Sequence, residues 1–161
     1  MAMHIEFVVP GPPISNQQST PAGKANLVTW HGVIAGAVGP LWGTNAILTG
    51  ELKAVIINFF AGNKPSVDVD NMSKPILDEM QKLVYKNDRQ IRQAEITHVK
   101  IGAAFSIMGV SKILVNAIQA GTQFVYVRIE DPVDPFPLPK WSVSQITSWL
   151  FCSFSLRSRS C

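Results

Sequence analysis

Cysteine is scarce in this chain of 161 residues, which contains only Cys152 and Cys161. Both lie within the last ten residues, and they do not have a metal-binding spacing such as C-x-x-C. A framework of disulfides or a structural zinc site is therefore not expected.

Long hydrophobic runs and targeting signals are also missing. The apolar stretch at 141–156 is interrupted by serines and is shorter than the roughly 20 residues that span a bilayer. Residues 1–6 show no basic segment followed by an apolar run, so no secretory signal is expected. A phosphate-binding loop of the type G-x-x-x-x-G-K-[ST] is absent as well, which argues against a nucleotide-driven motor. We expect a soluble, cytoplasmic protein with no membrane partner.

The charge balance is only mildly basic. Fourteen Lys and Arg residues against eleven Asp and Glu residues give a formal charge of +3 and a pI near 9.0. Nucleic acid is therefore a permitted partner, although many DNA-binding domains carry a stronger positive bias. The length predicts one domain with a core of useful size.

Hydrophobic periodicity divides residues 1–130 into alternating strands and helices. Strands are predicted at 5–9, 51–61, 93–105 and 122–129, and helices at 27–41, 73–84 and 111–120. This order indicates a single α/β or α+β domain with a mixed β-sheet packed by helices, in a strand order that the sequence does not fix. Residues 131–140 are proline-rich and predict an extended linker. Residues 141–161 would form a short docking helix or a disordered tail.

A pair of aspartates follows the predicted strand at 51–61. In an extended segment, Asp68 and Asp70 would point to the same face, with about 6 to 7 Å between them along the backbone. Mg²⁺ prefers such carboxylate oxygens, and it can neutralise a phosphate and activate water. The alternative is a solvated acidic loop that caps a helix, because Asp is also a preferred N-cap residue.

A lysine lies close to this pair in sequence. Pro75 is tolerated best in the first turn of a helix, which predicts a cap between residues 71 and 73. Lys74 would then lie in the first turn, near Asp70. The alternative is an ordinary exposed lysine, or a salt bridge to Asp78 one turn later.

The complete motif is more specific than its parts. From Asp68 to Ile91 the chain reads D-x-D-N-x-x-K, then Asp78, then an aromatic residue followed by x-x-D-x-Q-I. This pattern resembles the RusA family of Holliday junction endodeoxyribonucleases (crossover junction resolvases). The resemblance implies that Asp68, Asp70 and Asp88 are catalytic, metal-binding acids and that Lys74 is the catalytic cation beside the phosphate. Asp78 matches a family position too, and we interpret it as structural support.

The resemblance also implies an activity and its partners. We expect a RusA-like fold and a Mg²⁺-dependent endonuclease, with Mn²⁺ able to replace Mg²⁺. The enzyme would resolve four-way junction DNA by paired symmetric cuts in recombination and repair, and it would act as a homodimer. Basic residues surround the acidic motif and could bind phosphates, and those we assign to DNA binding are Lys64, Lys86, Arg89 and Arg92.

The position of the third acid poses a geometric problem. A helix of about twelve residues is roughly 18 Å long, and it separates Asp70 from Asp88. Either the chain folds back so that Asp88 reaches the same site, or a second subunit supplies Asp88. The sequence leaves both arrangements open.

Two other functions stay open. Residues 19–41 contain only Lys24 and His31 as basic or potentially basic residues, fewer than expected for the family, which argues for a weaker affinity for the junction. A non-catalytic junction-binding or scaffold protein is one alternative, although the intact Asp68, Asp70, Lys74 and Asp88 argue against it. A nuclease acting on flaps or single strands is the other alternative. For Trp30 and Trp42, packing in the core or at a dimer interface is favoured over stacking on bases. His31 and His98 lack partners at metal-binding spacing and are interpreted as surface or hydrogen-bonded histidines.

Overall fold

The computed structural model describes residues 2–106 and 110–133. Its elements follow the predicted order, and they form a single mixed α/β fold. The strands are β1 (Met3–Pro10), β2 (Leu52–Phe60), β3 (Ile91–Lys100) and β4 (Phe124–Glu130), and the helices are α1 (Pro21–Trp42), α2 (Val69–Leu83) and α3 (Lys112–Gln119). The predicted tail and residues 134–140 of the predicted linker lie outside the described residues.

The four strands form one mixed sheet in the order β1-β4-β2-β3. β4 is antiparallel to both of its neighbours, whereas β2 and β3 are parallel. Leu52 pairs with Ile91 at one end of β2, and Phe60 pairs with Lys100 at the other. The start of β3 and the end of β2 therefore lie at opposite ends of the sheet.

The core lies on both faces of the central strand β2, whose sequence is almost entirely apolar and buried. Such a run is typical of a strand covered on both faces. On one face α1 and α2 pack over the sheet, with Ile34, Ile76 and Ile56 fully buried. On the other face α3 contributes Leu114 to a smaller cluster with Tyr126 and the stacked rings of Phe59 and Phe124, whose centroids lie 4.4 Å apart.

Helix α1 begins six residues earlier than the predicted start at Leu27, because the first turns carry small and polar residues without apolar periodicity. The usual start signals are nevertheless present. Thr20 is the N-cap, its Oγ1 accepts a hydrogen bond from the Gly23 N–H at 3.0 Å, and Pro21 occupies the first helical position. Although α1 has 22 residues, none of the helices within the described ranges is long and apolar enough to cross a membrane.

Helix α2 also begins earlier than predicted, with Asp68 rather than a residue at 71–73 as its N-cap. Pro75 therefore lies inside the helix, where its missing N–H leaves the carbonyl of Asn71 without its helical donor. The backbone N–H of Asn16 donates to this carbonyl at 3.0 Å. The loop after β1 thus replaces the bond that the proline removes.

Strand β3 ends at Lys100, and the prediction of a strand up to residue 105 was wrong. A turn follows in which Gly102 adopts a φ of 82° and the Ala103 N–H donates to the Lys100 carbonyl. Phe105 packs edge-on against Phe59 with ring centroids 5.8 Å apart. Phe105 remains 41% exposed, so it packs against Phe59 from the surface without extending the strand.

A group of charged side chains lies on the face of the sheet opposite α1 and α2. Lys53 Nζ lies 2.6 Å from Glu95 and 3.4 Å from Glu130, and Arg128 Nε lies 2.9 Å from Glu130. The side chains of Lys53 and Glu130 are only 11% and 4% exposed. Hydrogen bonding to Glu95 raises the pKa of Lys53, although burial acts in the opposite direction.

The two tyrosines of the chain provide a test of this packing. Burial raises the pKa of Tyr126 to about 12, with a smaller contribution from its 2.8 Å hydrogen bond to Glu6. Burial also raises the pKa of Tyr85, whose hydroxyl donates to the Leu77 carbonyl at 2.7 Å. We expect tyrosinate absorbance at 295 nm to stay absent in the folded protein until the pH approaches 12, whereas in guanidinium both residues should titrate near 10.

The same shifts predict how alkali affects stability. Each of the two tyrosines has a higher pKa in the folded chain than in the unfolded chain. The contribution of each to the free energy of unfolding is therefore complete below pH 10 and is lost as the pH rises toward the folded pKa. Half of the tyrosinate signal appearing near pH 10, while circular dichroism still reports a folded chain, would contradict the burial of one tyrosine. A Tyr126→Phe variant identifies which residue is responsible.

Candidate active site

The first two acids of the motif lie where α2 begins. Asp68 is the N-cap, with extended backbone angles (φ −72°, ψ 158°), and Asp70 lies in the first turn. The expectation that both belong to one extended segment was wrong, because the helix starts at Val69. Both side chains are exposed. The carboxylate of Asp68 makes no capping hydrogen bond, so it is available to bind something else.

The backbone around these acids is well anchored. The N–H of Met72 donates to the Asp68 carbonyl at 3.0 Å, and Ser73 Oγ donates to the Asp70 carbonyl at 3.0 Å. The hydrogen bond from Asn16 to Asn71 adds a tie from the N-terminal loop. The first turn of α2 therefore presents two exposed carboxylates on a fixed backbone.

His98 is a nearby residue that sequence reasoning did not assign to the site. Its Nδ1 lies 3.1 Å from Nδ2 of Asn58, which is 1% exposed on the neighbouring strand. Burial lowers the pKa of His98, while the nearby Asp68 carboxylate and the Val67 backbone partly oppose this effect. His98 is thus a hydrogen-bonded histidine, as interpreted, but it lies beside Asp68. Asn58, a polar residue inside an apolar strand, was the available signal.

Lys74 lies on the exposed face of α2, one turn after Asp70. Its Nζ is 3.0 Å from Oδ1 of Asp78, and these side chains are 58% and 39% exposed. The salt bridge at i+4, which was the structural alternative for Lys74, is therefore present. A surface pair of this kind contributes about 0 to 1 kcal/mol, so Lys74 can leave Asp78 at little cost.

Asp88 lies far from the other two acids in the same chain. It begins a short 3₁₀ helix (Asp88–Gln90) directly before β3, at the end of the sheet where Ile91 pairs with Leu52. The part of α2 after Asp70 extends about 20 Å toward this end. The negative charges of Asp78 and Asp88 add to the raised pKa of Tyr85, which places Asp88 near the end of α2.

A single chain therefore places Asp68 and Asp70 at the start of α2 and Asp88 beyond the other end of that helix. Among residues 2–106 and 110–133, no three His, Cys, Asp or Glu side chains lie close enough to hold a metal ion. The parallel pairing of β2 and β3 explains this separation, because the end of β2 leads to Asp68 and the start of β3 follows Asp88.

The basic residues predicted to bind DNA form two groups. Lys64 is exposed in the loop between β2 and α2, on the side of Asp68. Lys86, Arg89 and Arg92 are exposed around Asp88, and Arg92 Nε lies 3.6 Å from Glu51. Asp68 and Asp88 therefore each have basic side chains nearby, at their own ends of the sheet.

The other singled-out residues serve packing. Trp30 and Trp42 are buried in the main core, which confirms core packing over base stacking. His31 Nδ1 lies 3.0 Å from Glu79 Oε2, and Lys82 Nζ lies 3.0 Å from the same oxygen. This cluster joins α1 to α2.

Comparison with known families agrees with the motif. The profile of the family described as Endodeoxyribonuclease RusA matches residues 3–107, well over half of the chain. The match runs from β1 through β3 and includes every residue of the motif. No curated protein is similar enough to count as a match. On the strength of the family match, the chain belongs to the RusA endodeoxyribonuclease family.

Proposed function

We propose that this protein is a Mg²⁺-dependent endonuclease that resolves four-way DNA junctions as a homodimer. Membership of the RusA family implies Holliday junction endonuclease activity. The observation that supports the dimeric mechanism is the separation of Asp88 from Asp68 and Asp70 within one chain.

Each chain carries two halves of a site. We call Asp68, Asp70 and Lys74 the α2 half-site, and Asp88 with Lys86 and Arg89 the β3 half-site. A two-fold axis relates identical surfaces, so contact between the α2 half-site of one chain and the β3 half-site of its partner is repeated by symmetry. Helix α2 extends between the two half-sites, and antiparallel packing of two such helices would bring them together.

The side chains fit the cation that the family implies. All three acids offer carboxylate oxygens, which are the donors that Mg²⁺ prefers. Asp68 is an N-cap whose carboxylate is not used for capping. Asp68 and Asp70 of one chain and Asp88 of the partner subunit would hold the ion, which supplies charge neutralisation at the phosphate and activation of water.

The chain's cations would bind and orient the DNA. Lys74 can exchange Asp78 for a phosphate oxygen, where its charge stabilises negative charge that develops during cleavage. Lys64, Lys86, Arg89 and Arg92 are exposed and would bind flanking phosphates, which position the duplex without reading its sequence.

The symmetry of the dimer accounts for the expected products. Two identical sites would cut two strands of like polarity at symmetric positions. Cleavage in this manner releases two nicked duplexes with ligatable ends.

The test is cleavage of a synthetic four-way junction, a flap and a linear duplex in Mg²⁺ or EDTA. Paired symmetric nicks on the junction alone, abolished by EDTA, would support the proposal. Junction binding without cuts would favour a scaffold protein, and cleavage of the flap alone would favour a nuclease of different specificity.

The β3 half-site predicts a measurable salt effect. Replacing Arg89 by alanine removes one phosphate contact, and we expect the slope of log Kobs against log salt to become shallower by about 1. The variant should weaken binding to all junction sequences alike. Lys112→Ala, which removes an exposed charge on α3, is the matched control and should leave the slope unchanged. Equal slopes for Arg89→Ala and wild type would remove Arg89 from the DNA-binding surface.

A further inference from the structure

The loop that carries Asp88 is held by one side-chain amide, that of Gln90. Its Oε1 accepts hydrogen bonds from the backbone N–H groups of Lys86 at 3.0 Å and Asn87 at 2.8 Å. Its Nε2 donates to the carbonyls of Leu48 and Gly50, both at 2.9 Å. The amide thus uses two acceptor and two donor positions, and these partners leave only one orientation of its oxygen and nitrogen.

The same loop is closed by a second polar side chain. Asn87 Oδ1 accepts from the Arg89 N–H at 2.9 Å, while the Gln90 N–H donates to the Asn87 carbonyl at 3.0 Å. The Asn87 side chain and the Gln90 side chain, whose Oε1 accepts from the Asn87 N–H, together form a capping box around the 3₁₀ helix. Asp88 lies between Asn87 and Gln90 with its own side chain exposed. The backbone is therefore fixed on both sides of an acid that points away from the core.

We call the four hydrogen bonds made by the side-chain amide of Gln90 the Gln90 clamp. Its Nε2 end is anchored to the segment that leads into the central strand. Residues 48 and 50 directly precede β2, and the Leu48 N–H donates to the Val84 carbonyl at 2.9 Å. Leu48 and Tyr85 also form an isolated parallel bridge. Through Gln90, the position of Asp88 is thus tied to the start of β2 as well as to the start of β3.

We infer that Gln90 is a positioning residue that fixes Asp88 for use in the partner's site, an inference that rests on the proposed function. In the proposed dimer, the two carboxylates that Asp88 must join belong to the other chain. They cannot hold Asp88 in position before the two chains meet. Its backbone must therefore be held in advance, and a misplacement of about 1 Å at a catalytic group can cost roughly 100-fold in rate. Gln90 acts through Asp88 and does not itself touch the DNA.

The test compares three variants. Gln90→Glu keeps the size and an acceptor for Lys86 and Asn87 but turns a second oxygen toward the Leu48 and Gly50 carbonyls. Gln90→Met keeps the approximate size and removes all four bonds. Gln93→Glu is the matched control, since Gln93 also binds backbone groups through its amide, but those of Val133.

The measurements are kcat and KM on a junction, junction affinity in Ca²⁺, Mn²⁺ binding by electron paramagnetic resonance, and circular dichroism. We expect both Gln90 variants to lose about 10- to 100-fold in kcat and to bind Mn²⁺ more weakly, with KM and junction affinity within about twofold of wild type. Gln93→Glu should keep wild-type kcat and Mn²⁺ affinity.

Several outcomes would overturn the inference. Unchanged kcat and Mn²⁺ affinity in Gln90→Met would show that Asp88 needs no such clamp. Equal losses in Gln93→Glu, or a loss of folded signal that accounts for the fall in kcat, would assign Gln90 a structural role only. The proposed function fails separately, if wild-type protein neither cuts the junction nor binds Mn²⁺, and the inference then falls with it.

Discussion

Cleavage should return when an Asp70→Asn chain is mixed and refolded with an Asp88→Asn chain, although neither variant cuts alone. In the proposed arrangement each homodimer would lose a carboxylate from both sites, and we expect a loss of roughly two to three orders of magnitude, because metal-assisted charge stabilisation contributes several kcal/mol. In the mixed dimer, one site receives Asp68 and Asp70 from the second chain and Asp88 from the first. That site is intact.

The mixed dimer also has a product signature. Its other site lacks both Asp70 and Asp88, so each mixed dimer should nick one strand of the junction instead of making paired cuts. Denaturing gels of junctions with one labelled strand at a time measure this directly. Recovered paired cuts would contradict the arrangement, as would mixtures as inactive as the parents.

A second mixture provides the control. Asp68→Asn combined with Asp70→Asn places both lesions in the α2 half-site, so no site in any dimer is complete. This mixture should stay inactive. Recovery here would indicate exchange of segments or contaminating nuclease, and it would invalidate recovery in the first mixture.

Replacing Lys53 by methionine should destabilise the fold by about 3 kcal/mol, because removing one partner leaves the buried carboxylate of Glu130 with less compensation. Arg128 remains beside Glu130, which keeps the expected cost at the lower end of the range for broken buried pairs. Urea unfolding gives the free energy. Glu95→Gln is the control, since Glu95 is 62% exposed and its pairing with Lys53 should contribute less than about 1 kcal/mol.

The Lys53 network also predicts a pH dependence. Since its pKa is raised in the folded chain, its stabilisation is complete below the ordinary value of 10.5 and is lost as the pH rises through the higher folded value. Wild-type protein should therefore lose more stability above pH 10.5 than Lys53→Met does. Parallel curves for the two proteins would show that Lys53 titrates as an ordinary lysine.

The sequence predicted the order of the elements well because their apolar periodicity is local. The starts of α1 and α2 were harder to predict from the sequence. The first turns of α1 lack apolar periodicity, and Pro75 is tolerated inside α2 because Asn16, distant in sequence, donates to the freed carbonyl. The predicted strand β3 ran too far because the apolar residues continue as far as Phe105. Phe105 packs against Phe59, but only after the turn that ends the strand.

The spacing of the motif was enough to predict the residues of the candidate site, but it was not enough to predict how they are arranged in space. The motif predicted a gap of roughly 18 Å between Asp70 and Asp88 from helix length alone. Only the parallel register of β2 and β3 shows that the following loop does not close this gap. The clamp by Gln90 depends on contacts with residues 48 and 50, which no local pattern indicates.

In the proposed dimer, the separation of Asp70 and Asp88 would make cleavage depend on the concentration of the protein. A chain that holds its acids about 20 Å apart would be inert as a monomer. Below the dissociation constant of the dimer, the number of complete sites would fall with the square of chain concentration, by mass action. A dilute protein would then leave DNA intact, and cutting would begin only where the chain concentration is high enough for dimers to form.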